Sequence, residues 1–225
     1  MARDWQQWLS PRPRRRTATA SEPRILAAYD VALFEFLKEE DGRWVVRETH
    51  YIDNEIVRGG LSGPLLHIHW LQTEYFQVEQ GVIGIMKNEK EVVATQEDGI
   101  VKIPPGTRHR FWAHSSGTED LIFKVWAEPQ GLNNSFDENF LRNFVGYQRD
   151  CQKENITPSV FQLMLMSYYS STIATPPFWM PIWILISVQY VLAVWVGAYV
   201  LGYEASYPEY NSAEKSQSRN SKKSI

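Results

Sequence analysis

Short apolar runs dominate the first half of the chain. They recur around residues 25–29, 31–37, 43–47, 65–71, 74–78, 82–86, 91–95, 100–103, 109–113 and 121–126. Turn-forming pairs punctuate them: Asp41-Gly42, Gly59-Gly60, Asn88-Glu89, Asp98-Gly99, Pro104-Pro105-Gly106 and Ser116-Gly117. Closely spaced strands with this punctuation, and little helical period, predict a sandwich or barrel. Closure into a barrel also removes exposed sheet edges.

The pattern changes after Pro129. Ser135 and Glu138 make a capping box before Phe136, Phe140, Leu141, Phe144 and Val145, which predicts an amphipathic helix ending near Gln152. Thr157 reads as an N-cap with Pro158 at the first helical position, opening a second helix from Ser159 to about Tyr169. No charged residue occurs between Glu154 and Glu204, and from Pro181 to Tyr203 there are 23 almost wholly apolar residues. A bilayer core needs about 20. Trp179 and Trp183 stand near one end and Tyr199 and Tyr203 near the other, as interfacial aromatics do; Ser187, Gln189 and Gly197 interrupt the run. This predicts a single-pass C-terminal membrane anchor with the barrel in the cytosol, and Lys215, Arg219, Lys222 and Lys223 leave its orientation open. A buried core helix is the alternative, but one apolar all round needs a larger protein about it. Before the barrel, Arg12, Arg14, Arg15 and Arg16 lie among prolines and predict a solvated tail, although Trp5, Trp8 and Leu9 share a face if helical. The expected organisation is therefore a disordered basic tail (1–23), a β-barrel (24–130), a helical extension (131–176), a transmembrane helix (177–203) and a polar tail (204–225).

Composition narrows the function classes. The net charge of -3 in 225 residues lacks the basic excess of a general nucleic-acid binder. The single cysteine, Cys151, excludes an internal disulfide and a cysteine-clustered zinc site.

Histidine is scarce, five in all, and two fall in Leu65-Leu66-His67-Ile68-His69-Trp70-Leu71. In a strand His67 and His69 share a face, and Trp70 points the other way. Two imidazoles on an apolar face need partners, and a metal ion is one. Glu74 shares a face with Phe76 and Val78, while Tyr75 points outward. His109 follows the Pro104-Pro105-Gly106 turn and shares a face with Phe111 and Ala113. Three imidazoles and a carboxylate suit iron(II), manganese, nickel, copper or zinc. His50 and His114 belong to no such pattern and read as ordinary polar residues.

The stretch His67-x-His69-x4-Glu74-x6-Gly81 resembles the first cupin motif, and Gly99-x4-Pro104-x-Gly106-x2-His109 the second. The resemblance covers roughly residues 24–130. It departs from the family at Leu61, where a glycine is usual, at one missing residue between Gly99 and Pro104, and at Ala113, where asparagine is usual. None of these touches a ligand position. The resemblance implies a mainly β fold, a cupin-type double-stranded β-helix (jelly-roll barrel) with C-terminal α-helices, and a divalent metal, iron(II) before the others, on His67, His69, Glu74 and His109. Phe76, Ile83, Ile85 and Phe111 are the expected lumen residues, packing first and, in a small barrel, substrate-pocket residues as well, and Glu74 doubles as a base. Dimers are common in the family, so a homodimer is expected. The C-terminal third, with Asn143-Phe144-x-Gly146-Tyr147 and the Pro158–Leu163 helix start, is similar to small cupins encoded beside fungal polyketide enzymes.

The leading expectation is a metal-dependent cupin oxidoreductase acting on a small aromatic or polyketide-like molecule in secondary metabolism. The alternatives are a non-oxidative isomerase, cyclase or decarboxylase, a non-catalytic membrane-tethered ligand-binding barrel, and an interaction protein whose Ala193 and Gly197 face packs on a membrane enzyme. An open lumen would favour catalysis or ligand binding; a plugged one would favour a structural role.

Overall fold

The computed structural model describes residues 4–176 and 178–211. In chain order its strands are β1 (Arg24–Leu26), β2 (Ala32–Lys38), β3 (Trp44–His50), β4 (His67–His69), β5 (Thr73–Gln80), β6 (Ile83–Lys87), β7 (Lys90–Ala94), β8 (Ile100–Ile103), β9 (His109–Ala113), β10 (Leu121–Glu128) and β11 (Thr172–Ala174). They form two antiparallel sheets, ordered β1-β2-β3-β10-β5-β8 and β11-β4-β9-β6-β7. Period-two alternation sends Glu74, Phe76 and Val78 of β5 inward, and His109, Phe111 and Ala113 of β9 inward to meet them. Val46, Phe76, Phe123 and Val125 from one sheet pack with Ile83, Ile85 and Phe111 from the other.

The helices are α1 (Asp4–Leu9), α2 (Glu55–Arg58), α3 (Glu138–Lys153), α4 (Val160–Tyr169) and α5 (Ile182–Tyr190), which continues unbroken as a π-helix over Val191–Val200. The cap of α3 is Asp137, whose carboxylate accepts the Phe140 N–H at 2.8 Å. Ser135, expected in that role, instead donates to the Leu132 carbonyl. Ser159, not Thr157, is the N-cap of α4, and its N–H donates to the Tyr147 hydroxyl.

The helical extension is not separate from the barrel. β11 pairs along β4, with Thr172 opposite His69 and Ala174 opposite His67, and so widens the smaller sheet. Leu185 of α5 covers Ile68 and Ile173 on the outer face of that pair. Further along, Ala193, Val194 and Leu201 pack with Leu165 of α4. Gly197 permits the approach, since a Cβ there would stand 3.0 Å from the Phe161 carbonyl oxygen.

The apolar stretch Ile182–Val200 is long and apolar enough to cross a membrane. It does not project from the barrel as a single-pass anchor would. Gln189 donates to the Thr172 carbonyl, and the chain beyond the helix returns to the same body. The Tyr207 N–H donates to Asn143 Oδ1 at 2.7 Å, and the Tyr210 hydroxyl to Asp150 at 2.8 Å. In a span, Tyr203–Tyr210 would lie across the bilayer from α3, to which they are bonded here. The first segment is likewise not a loose tail. The Thr19 and Ala20 N–H groups donate to the Glu209 carbonyl, Thr17 bonds Asp150, and Arg12 lies 4.0 Å over the Tyr203 ring. Of the expected polar tail, Lys215, Arg219, Lys222 and Lys223 lie outside the described residues.

Candidate metal centre

The strand register brings four of the singled-out side chains to one point. His67 of β4 lies directly opposite His109 of β9, and their rings approach to 4.2 Å between centroids. His69 is two residues along β4 on the same side. Glu74 arrives from the other sheet, at the start of β5. The candidate ligand atoms of the four all lie within 4.8 Å of one another, and all four residues are buried.

The outer nitrogens of the rings are tied back. His67 Nδ1 lies 2.8 Å from the Leu65 carbonyl oxygen, His109 Nδ1 2.9 Å from that of Thr107, and His69 Nδ1 3.2 Å from the Thr172 hydroxyl. The carbonyl acceptors keep the proton on Nδ1 of His67 and His109 and turn Nε2 inward, as in histidines that bind metal through Nε2. His67 Nε2 and His69 Nε2 then face each other at 3.2 Å. A cation between them would engage both. His69 Nε2 is also 3.4 Å from Glu74 Oε1, and His109 Nε2 2.7 Å from Glu74 Oε2.

The titration behaviour points the same way. Burial, with help from the His109 and His69 charges, holds His67 well below the ordinary imidazole value. It is therefore neutral at physiological pH, the form that binds metal. Burial alone would raise Glu74, but the His69 charge and the His109 hydrogen bond and charge outweigh it, so the carboxyl stays ionised. Burial likewise opposes the His109 charge, yet Glu74 holds it above the ordinary value. His109 Nε2 and Glu74 Oε2 lie at hydrogen-bond distance, 2.7 Å, and the donor set fits a divalent first-row cation that would displace the proton between them.

The other expected residues lie where period two places them. Phe76, Ile83, Ile85 and Phe111 do face the lumen, but they fill it. The first three are fully buried, and Phe111 packs edge-on to Phe76 and Phe123. They form a packed core, not the walls of an open pocket. A surface depression of about 740 Å³ lined by Asp41, Arg43, Tyr75 and Glu128 lies on the outside of the barrel, away from the quartet. Trp70 is exposed, Tyr75 stacks on Trp126, and His114 bonds Ser116 near the surface.

Two features have no counterpart in the sequence reading, and a third corrects its placing of His50 among ordinary surface or satisfied polar residues. Phe136, in the segment before α3, lies edge-on over His69 at 4.9 Å, and Gln72 holds it by accepting its N–H. Thr172 of β11 supports His69. Most distinctly, His50 belongs to the lumen. It is fully buried between Phe111 and Phe123, and its Nε2 lies 3.0 Å from Glu48 Oε2. Burial raises the Glu48 carboxyl, the His50 hydrogen bond opposes this, and Glu74 is among the charges that raise it further. Among the described residues His50 Nδ1 has no hydrogen-bond partner. The signal was the alternation Val46-x-Glu48-x-His50, which carries β3 inward past the charged Arg47.

No protein-family model matches the chain. Among curated proteins it is 65% identical to the probable oxidoreductase virH of Hypocrea virens over 92% of this chain and 94% of that one. It is 51% identical to the oxidoreductase iacF of Pestalotiopsis fici, over 88% and 98%. Among solved structures, a sugar phosphate isomerase of the cupin superfamily from Silicibacter pomeroyi aligns with 16% identity and a TM-score of 0.37, over 49% of this chain and 73% of that one.

Proposed function

The chain belongs to the family of fungal proteins that includes virH and iacF, and from that membership and its two cupin-like motifs we propose that it is a metal-dependent cupin oxidoreductase acting on a small organic molecule. The observation that carries the reading is the convergence of three inward Nε2 atoms and an ionised carboxylate within 4.8 Å, in a chain whose near relatives are named oxidoreductases. His67, His69, Glu74 and His109 would hold the ion. When bound, iron(II) supplies one-electron and dioxygen chemistry and polarises oxygen donors of a substrate.

The chain's own residues supply the rest. The backbone carbonyls of Leu65 and Thr107 orient His67 and His109. Glu74 is the ionised group at the site and can accept a proton at Oε1 or Oε2. Phe136 and Gln72 exclude water on the His69 side. The filled lumen taken alone would favour a structural role; the oxidoreductase reading rests on the ligand quartet and the named relatives, and a substrate reaching the quartet through the lumen must displace Phe136 or the lumen phenylalanines. An aromatic or polyketide-like compound is the expected class. Glu48 and His50 give the lumen a second polar end, where a distal hydroxyl or carbonyl would meet His50 Nδ1.

The test is dioxygen uptake by the iron(II)-loaded full chain with a panel of hydroxylated aromatic and quinone-type compounds, beside Glu74→Gln. Substrate-dependent uptake that falls at least about a hundredfold in the variant supports the reading. Turnover without oxygen consumption, equally supported by zinc, would move it to the isomerase or cyclase class.

A further inference from the structure

The helix that packs on β11 and α4 has a second apolar face turned outward. In its sequence two rows repeat every four residues. Leu185, Gln189, Ala193, Gly197 and Leu201 form the buried row, and Trp183, Ser187, Val191, Trp195 and Tyr199 the exposed one. An α-helix has 3.6 residues per turn, so rows of four drift around it. The change to π-helical winding over Val191–Val200 compensates, because its wider turn drifts the other way. Both rows therefore stay aligned from residue 183 to residue 201.

The exposed row continues at both ends. Trp179 precedes it. At the far end α1, which carries the exposed Trp8, is fastened to the helix by the Gln6 side chain donating to the Val200 carbonyl. Trp8, Trp179, Trp183, Val191, Trp195 and Tyr199 are between 49% and 81% exposed. An apolar face this long is unusual for a surface that only meets water. Its rim is basic. Arg12 donates to the Leu201 carbonyl at the end of the helix, and Arg14 and Arg15 follow, exposed. Acids stand here too: Glu154 accepts the Arg14 and Arg15 N–H groups, Glu204 is exposed, and Asp150 and Glu209 bond the segment that follows the arginines.

We propose that this face is a peripheral membrane-docking surface, on which the helix lies in the plane of an anionic bilayer without crossing it. Tryptophan and tyrosine, apolar with one polar atom, suit the headgroup boundary. The arginine rim matches anionic lipid. Along the helix the exposed row has one further hydrogen-bonding side chain, Ser187, and it is satisfied by the Trp183 carbonyl. The proposal is independent of the metal reading.

The test uses the full chain with phosphatidylcholine vesicles, with and without phosphatidylserine, followed by co-sedimentation and quenching of tryptophan fluorescence by brominated lipid. Binding to anionic vesicles that weakens in high salt is expected. Trp183→Glu/Trp195→Glu should lower partitioning at least about tenfold, with the far-ultraviolet spectrum and melting point unchanged. Arg14→Glu/Arg15→Glu should remove the preference for phosphatidylserine. Three results would each overturn the proposal: no binding; binding indifferent to both variants; or a dimer in lipid-free buffer that Trp183→Glu/Trp195→Glu dissociates, since a second copy would then own the face. Expressed protein that resists alkaline carbonate extraction from membranes would restore a transmembrane span and also overturn it.

Discussion

At the residue scale the four converging side chains were legible because each is chemically conspicuous in its strand. His67 and His69 break an apolar run at spacing two, and Glu74 and His109 open strands whose other inward positions are apolar. Glu48 and His50 were not, because Arg47 between them and the apolar Val46 ends the visible run. Arg47 in fact points outward, to Glu35 and Glu79 at 2.6 Å each. The buried Glu48 gives a pH prediction. Its folded pKa is raised above the ordinary carboxyl value, chiefly by burial. A raised pKa contributes stability below the unfolded value, and that contribution is lost as pH rises through the folded one. Relative to the wild type, Glu48→Gln should therefore gain stability as pH rises above about 4.5. Urea midpoints measured from pH 4 to pH 8 check this, and parallel pH profiles would contradict it.

At the element scale the strands of the barrel followed from period two, whereas β11 did not. Thr172-Ile173-Ala174 is too short to show a period, and its pairing with β4 is a contact about a hundred residues away in sequence. The misplaced α3 cap has a plainer reason. Ser135 and Asp137 are both good N-caps, and Ser135 is taken by the Leu132 carbonyl. The Asn143-Phe144-x-Gly146-Tyr147 motif acquires a physical meaning. Asn143 binds the backbone of Tyr207, Gly146 makes room for the Tyr210 ring, and Tyr147 accepts the start of α4. A Cβ at Gly146 would stand 2.6 Å from Tyr210 Cδ1. Gly146→Val should cost about 1–3 kcal/mol and free the C-terminal segment to protease, and unchanged cleavage would refute this role. Phe136→Ala should speed loss of bound metal to a chelator, because it uncovers His69. An unaltered release rate would mean that Phe136 does not guard the site.

At the scale of the whole molecule, the segments on either side of the barrel hold it together. The first and last described segments bond each other through Glu209, and both rest on α3 through Asp150. The apolar stretch could be read from sequence as membrane-length, but its packing could not, since composition alone does not say which neighbour covers a face. A metal held by the quartet would act at this scale too: bound only where the two sheets meet, it would stabilise the folded chain by mass action, by about 2.7 kcal/mol at a hundredfold excess over its dissociation constant. Iron(II) or a stand-in such as cobalt(II) should raise the melting point of the wild type and leave that of His67→Ala/His69→Ala unmoved. The same two proteins give the most direct measurement, the metal content of the full chain after anaerobic reconstitution and desalting. The arrangement of His67, His69, Glu74 and His109 predicts about one equivalent in the wild type and next to none in the variant. A well-folded wild type that emerges free of metal would contradict it.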